Sequence, residues 1–121
     1  MGFRESLTEV SSALPETFVI TLMDRDGISV DTVNGISSGV DLPSYLVEVT
    51  NVFAQVERSS EQLSTGSVDE LVVKTERLTT IIRRIGSEYF LVLALTPHGN
   101  TGKARYLLRV AAPKVAKELA A

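Results

Sequence analysis

Cysteine and tryptophan are absent from this 121-residue sequence, and histidine occurs once, at His98. Without thiols there is no disulfide framework, no thiolate metal site and no cysteine nucleophile. A lone imidazole has no second one with which to hold zinc. No run approaches the ~18 apolar residues of a membrane span. MGFRESLTEV at the start lacks the apolar core of a secretion signal. An excess of cations is missing too: 12 Lys and Arg stand against 15 Asp and Glu, a net charge of −3, which counts against non-specific attachment to nucleic acid or anionic lipid. These absences lead us to expect a cytoplasmic protein with neither nucleic acid nor membrane as partner. No repeat or linker divides the chain. Residues 1–121 read as a single domain, able to bury about two thirds of its unfolded surface without a metal or disulfide staple.

What is present is organised around PSYLVEVTNVFAQVERSSEQLS, Pro43 to Ser64. Leu42, Leu46, Val49, Phe53, Val56, Ser60 and Leu63 recur at steps of four and three, with Glu48, Asn51, Gln55, Arg58 and Gln62 opposite, the period of an amphipathic helix. Pro43 falls where a first-turn proline belongs. Tyr45, Val52 and Leu63 widen the apolar stripe at one margin, so that it suffices to lie on a sheet. Beside the other margin runs a narrower line of small residues, Val47, Thr50 and Ala54, bordered by Glu57, Arg58 and Glu61. Small side chains let another backbone approach closely, which makes this line a candidate protein-docking strip; a helix flank that happens to be small is the plainer account.

The remaining elements follow from the same periodicities. Phe3, Leu7, Val10 and Leu14 mark a short amphipathic helix ended by Pro15. Phe18 to Met23 and Tyr89 to Leu95 are nearly continuous apolar runs, as in strands covered on both faces, and so belong side by side at the centre of a sheet. Asp24-Arg25-Asp26-Gly27 turns the chain into an alternating, half-exposed strand from Ile28 to Val33. Val68 to Thr75 and Leu78 to Ile85 form a further hairpin. The last helix starts near Thr101 and repeats Ala104, Leu107, Leu108, Ala111, Val115 and Leu119, with a kink or break expected at Pro113. The fold class is therefore α+β, in the order α-β-β-α-β-β-β-α. Its five-stranded antiparallel sheet has the order 2-1-5-4-3, with the long helix on one face and the terminal helices on the other. Strand three is then an open edge. Its Leu71, Val72, Val73 and Lys74 offer little deterrent to pairing, and a homodimer joined along this edge is expected.

Several patterns with a chemical look fail on inspection. HGNTGKAR, from His98, matches half a phosphate loop, but Pro97 stands where a glycine is needed and Ala104 where a hydroxyl would hold Mg²⁺. A capped helix start explains it. Asp24-x-Asp26-Gly27 has the opening of a calcium loop without the later glutamate, so a hairpin turn is expected. Arg83 and Arg84 are adjacent on a strand and point to opposite faces, available to pair with Glu70 or Glu88. No two carboxylates are placed for acid–base work. We expect no enzyme, no catalytic residues, no metal and no cofactor.

The order of elements, together with FVITLMDRDGISVDTV, LVEVTNVFAQVERSSEQL and SEYFLVLALTPHGNTGKARYLLRVA, resembles the Roadblock/LC7 family, and most of all its bacterial MglB-type members, from about Phe3 to Leu119. The resemblance implies a profilin-like sandwich and a homodimer that shares one sheet and apposes its long helices. It also implies a small Ras-like GTPase of the MglA type as partner, with GTP and Mg²⁺ belonging to that partner. Hydrolysis would be stimulated or modulated in trans, without an arginine finger, by holding the GTPase's own groups in place. On this chain the implied docking surface falls on Val47, Thr50, Asn51, Phe53, Ala54, Glu57 and Arg58. The pattern departs from MglB-type helices at Phe53 and Glu57, where small residues are usual, and at Thr50, where glycine is common. The alternative that the family allows is a scaffold that assembles other proteins and stimulates nothing.

Overall fold

A computed structural model describes residues 2–120. Its elements are α1 (Gly2–Ala13), β1 (Thr17–Asp24), β2 (Ser29–Asn34), α2 (Leu42–Gln62), β3 (Glu70–Lys74), β4 (Thr79–Ile85), β5 (Tyr89–Leu95) and α3 (Thr101–Ala120). All the strand pairs are antiparallel, in the order β2-β1-β5-β4-β3. This is the α+β sandwich that the residue pattern predicts. β1 and β5 are buried along almost their whole length, because their continuous apolar runs serve two cores at once. Ile20, Leu22, Leu91 and Leu93 face α1 and α3, and Val19, Met23, Phe90 and Val92 face α2. Burial on both faces removes roughly 25 cal/mol of unfavourable hydration per Å² of apolar surface, which is why the two strands sit together at the centre.

Local chemistry sets the connections. In the first hairpin the Asp24 carboxylate accepts the Asp26 and Ile28 N–H groups at 2.9 and 3.0 Å and Gly27 takes φ +83°, so the acidic pair makes a turn and no cation loop. Gly35 is needed for close approach: a Cβ there would lie 2.0 Å from the Thr17 carbonyl oxygen. Arg83 lies 3.7 Å from Glu70, and Arg84 holds Asp69 at 3.1 Å and the Val68 carbonyl at 2.9 Å, so both arginines serve cross-strand pairing. β3 is shorter than the apolar pattern suggests, running only from Glu70 to Lys74. α3 runs unbroken through Pro113. The proline removes one donor from an exposed turn, while Ala104, Leu108, Ala111 and Val115 keep the same buried face on either side of it.

One latch ties the ends of the fold together. The Glu16 carboxylate, just before β1, accepts the Asn100 N–H at 2.9 Å, and the Asn100 side chain accepts the Lys103 N–H at 3.0 Å as the cap of α3. The bond from Asn100, then a backbone bond within Glu16 itself and the charge of Lys103, hold the Glu16 carboxyl below its ordinary value. A lowered carboxylate stabilises the fold above its unfolded pKa, about 4.3, and loses that contribution as pH falls through the lower folded value. Glu16→Gln is therefore expected to lower the melting temperature at neutral pH, and the gap from the unmutated protein should close as pH drops below about 4. A gap that stays constant with pH would show that the carboxylate charge is not what latches α3.

Candidate protein-docking surface

α2 begins with Asp41, whose side chain accepts the Ser44 N–H at 3.4 Å and the Ser44 hydroxyl at 2.8 Å, with Pro43 in the first turn. Leu46, Val49, Thr50 and Phe53 fix how the helix is rotated on the sheet. Phe53 is fully buried and meets Phe90 of β5 edge-on, ring centroids 4.8 Å apart. Thr50 is 4% exposed, and its hydroxyl donates to the Val47 carbonyl at 2.7 Å. Of the docking residues expected from the sequence, Thr50 and Phe53 are therefore buried in the core of the single chain. The rotation that seats Phe53 on Phe90 carries Thr50 under the helix with it.

The rest of the line divides. Val47 is half-buried, close to Gly27, where an added Cβ would come within 3.3 Å of a valine methyl. Ala54 is partly open, and Asn51 and Arg58 are both exposed. Glu57 is held by Arg25 of the β1–β2 turn at 2.6 Å, and the Arg25 guanidinium lies 5.5 Å from the centre of the Phe90 ring. A charge over an aromatic face and a partly buried ion pair reinforce each other here. Arg25, Ala54, Glu57, Arg58, Glu61 and Phe90 enclose a shallow cavity of about 250 Å³. Arg25 was beyond the reach of sequence reasoning, because its partner is 32 residues away. A tighter groove of about 160 Å³ lies between the first turns of α2 and β1–β2. There the Thr21 hydroxyl meets Thr32 Oγ1 at 2.8 Å and donates to the Asp31 carbonyl at 3.0 Å.

The opposite margin of α2 is apolar and uncovered. Val52 is 46% exposed and Leu63 75% exposed, with Val56 half-buried between them. The sequence pattern places these residues in the sheet-facing stripe, but the rotation that buries Leu46, Val49 and Phe53 carries Val52 and Val56 about 100° and 60° round the helix from Phe53, to the margin of the buried face, and Leu63 follows the last helical residue as its cap. Leu71 and Val73 of β3 pack into the α2 side of the core, and the outer edge of β3 has no neighbouring strand. An apolar helix flank and an open strand edge thus meet on one side of the molecule.

Among the described residues no group of three or more acidic, histidine or cysteine side chains is placed to hold a metal ion. No described helix is long and apolar enough to cross a membrane. Fold and surface together define a profilin-like α+β sandwich that leaves its longest helix bare on one face. The chain belongs to the Roadblock/LC7 family. MglC from Myxococcus xanthus is 43% identical to it, over 98% of this chain and 99% of that one, with a TM-score of 0.70. The gliding protein MglB from Thermus thermophilus is 20% identical over 98% and 90%, with a TM-score of 0.85. A Roadblock/LC7 domain from Streptomyces avermitilis is 14% identical over 98% of this chain and 94% of that one, with a TM-score of 0.83. The two measures rank these neighbours differently; identity carries kinship, and the backbone likeness at 20% and 14% shows the fold alone. No protein-family model and no curated protein matches the sequence.

Proposed function

We propose that two copies of this chain associate through the β3 edge and the bare flank of α2. The dimer then acts as a non-catalytic regulator of a small Ras-like GTPase of the MglA type. The observation that carries the reading is the exposed stripe of Val52, Val56 and Leu63 beside an unpaired strand edge. Soluble monomers avoid both features, and pairing removes both together. The likeness to MglC and MglB supports the connection to an Mgl-type GTPase. Val47, Asn51, Ala54, Glu57 and Arg58 form the contact line, with Thr50 and Phe53 as its support from beneath. Such a surface stimulates or modulates hydrolysis by positioning the GTPase's own groups and presenting fixed charge to them. Arg25 is held by Glu57 and the face of Phe90, so it shapes the surface and is not free to reach into a nucleotide site as a finger.

A second reading is favoured by one feature of the same surface. With Thr50 and Phe53 withdrawn and Glu57 paired, the outward side of α2 is polar, led by Asn51, Gln55 and Arg58. That suits a scaffold that joins proteins without stimulating hydrolysis. GTP turnover by an MglA-type GTPase, measured with and without the protein, separates the two. Ala54→Arg is expected to abolish stimulation while the dimer mass and melting temperature persist. Unchanged turnover would remove the α2 line as the contact surface, and binding without stimulation would select the scaffold.

A further inference from the structure

The open edge of β3 has a pattern that can be read from its paired side. The Arg84 N–H donates to the Asp69 carbonyl at 3.0 Å and the Thr75 N–H to the Leu78 carbonyl at 2.9 Å. Antiparallel pairs alternate between hydrogen-bonded and non-bonded. In the register that runs from Glu70 opposite Arg83 to Lys74 opposite Thr79, Leu71 and Val73 therefore direct their backbone groups at β4. Glu70, Val72 and Lys74 direct theirs outward. Side chains alternate as well. Leu71 and Val73 lie on the α2 side, and Val72 on the side of α1 and α3, where Glu70 meets Arg105 at 2.7 Å.

A second copy added here by a two-fold axis normal to the sheet keeps like faces together, so facing residues must share a face. The axis can then pass through Leu71, Val72 or Val73. Through Leu71, it sets Glu70 against Val72 and Asp69 against Val73 of the other copy. Through Val73, it sets Lys74 against Val72 and Glu70 against Glu76, two like charges. Through Val72, it sets Glu70 against Lys74 twice, Leu71 against Val73 twice and Val72 against itself. Facing opposite charges and facing aliphatic residues stabilise a ladder, and facing like charges destabilise it. Arg105 occupies one Glu70 oxygen at 2.7 Å, while Arg83 stands off the other at 3.7 Å, which leaves that second oxygen room for a lysine.

We infer that the β3 strands of two copies pair about Val72, with Glu70 and Lys74 as the residues that select the register. This rests on the homodimer reading above and adds what sets its geometry. Moving the axis by one residue, to Leu71 or Val73, would displace one subunit along the other by about 6.8 Å, two residues of strand. The offset of the two α2 helices, and hence the shape of the joint surface, is decided by these charges.

The absence of cysteine makes the register directly measurable, since any cross-link reports an introduced pair. V72C, L71C and V73C are each oxidised mildly at micromolar concentration, alone and as an equimolar mixture of L71C with V73C. Facing Cα atoms at about 4.5–5.5 Å fall within disulfide range. V72C should convert to a covalent dimer, L71C and V73C alone should not, and their mixture should give the cross-linked heterodimer. Cross-linking of L71C alone, or of V73C alone, would overturn the register in favour of an axis at that residue. No cross-link in any sample, with an unmutated protein that sediments as a dimer, would overturn β3 pairing and place the interface elsewhere. A monomeric unmutated protein would overturn the homodimer reading itself.

Discussion

Phe53→Ala is expected to destabilise the fold by about 3–5 kcal/mol, the range for emptying a buried aromatic site. The ring is fully buried and rests edge-on against Phe90 at 4.8 Å, so truncation loses both its transfer from water and an aromatic contact, and leaves a cavity between α2 and β5. The damage extends to the surface, because Arg25 lies over the same Phe90 ring and grips Glu57. With Phe90 unsupported from the helix side, the β1–β2 turn loses its hold on α2. Urea unfolding would register the effect as a lower midpoint at unchanged slope. A loss below about 1 kcal/mol would mean that Phe53 is a surface contact after all, as its place in the docking pattern of the sequence suggests.

The second large effect is expected on association. Val56→Glu places a carboxylate in the exposed apolar flank of α2, once per subunit and so twice in the proposed dimer. Desolvating an unpaired charge in an interface costs several kcal/mol, so dimerisation should weaken by at least roughly 100-fold, about 2.8 kcal/mol. Val56 is only half-buried within the subunit, so the subunit itself should keep its melting temperature to within a few degrees. Sedimentation equilibrium separates the two quantities. A Val56→Glu protein that remains dimeric at micromolar concentration would take the α2 flank out of the interface and leave the β3 edge to carry it alone.

The two predictions concern residues that look alike in one dimension. Phe53 and Val56 belong to one apolar stripe by spacing, yet Phe53 lies beneath the helix and Val56 stands about 60° round it, at the margin of the buried face. Thr50 and Ala54, one turn apart, look equally suited to receive a partner. The structure turns Thr50 inward to a carbonyl and leaves Ala54 at the rim of a cavity with Arg25 and Glu57. A helical wheel fixes the angles between residues but not the zero of the wheel. That zero is set by Phe90, which arrives from β5, 37 positions after Phe53 along the chain.

The sequence by itself determined the elements, their order and the order of the strands. These follow from local periodicity, from turn chemistry such as the Asp24 side chain capping its own hairpin, and from the rule that a strand with two apolar faces cannot sit at an edge. It also determined that β3 would be an open edge, since hairpins link every strand after the long helix. Tertiary structure alone decided which residues of α2 are surface, that Arg25 of the β1–β2 turn would hold Glu57 of α2, and that Glu16 would latch α3. Each of these depends on a distance between elements, and that distance is set by how side chains of definite volume interdigitate, a property no single stretch of chain contains.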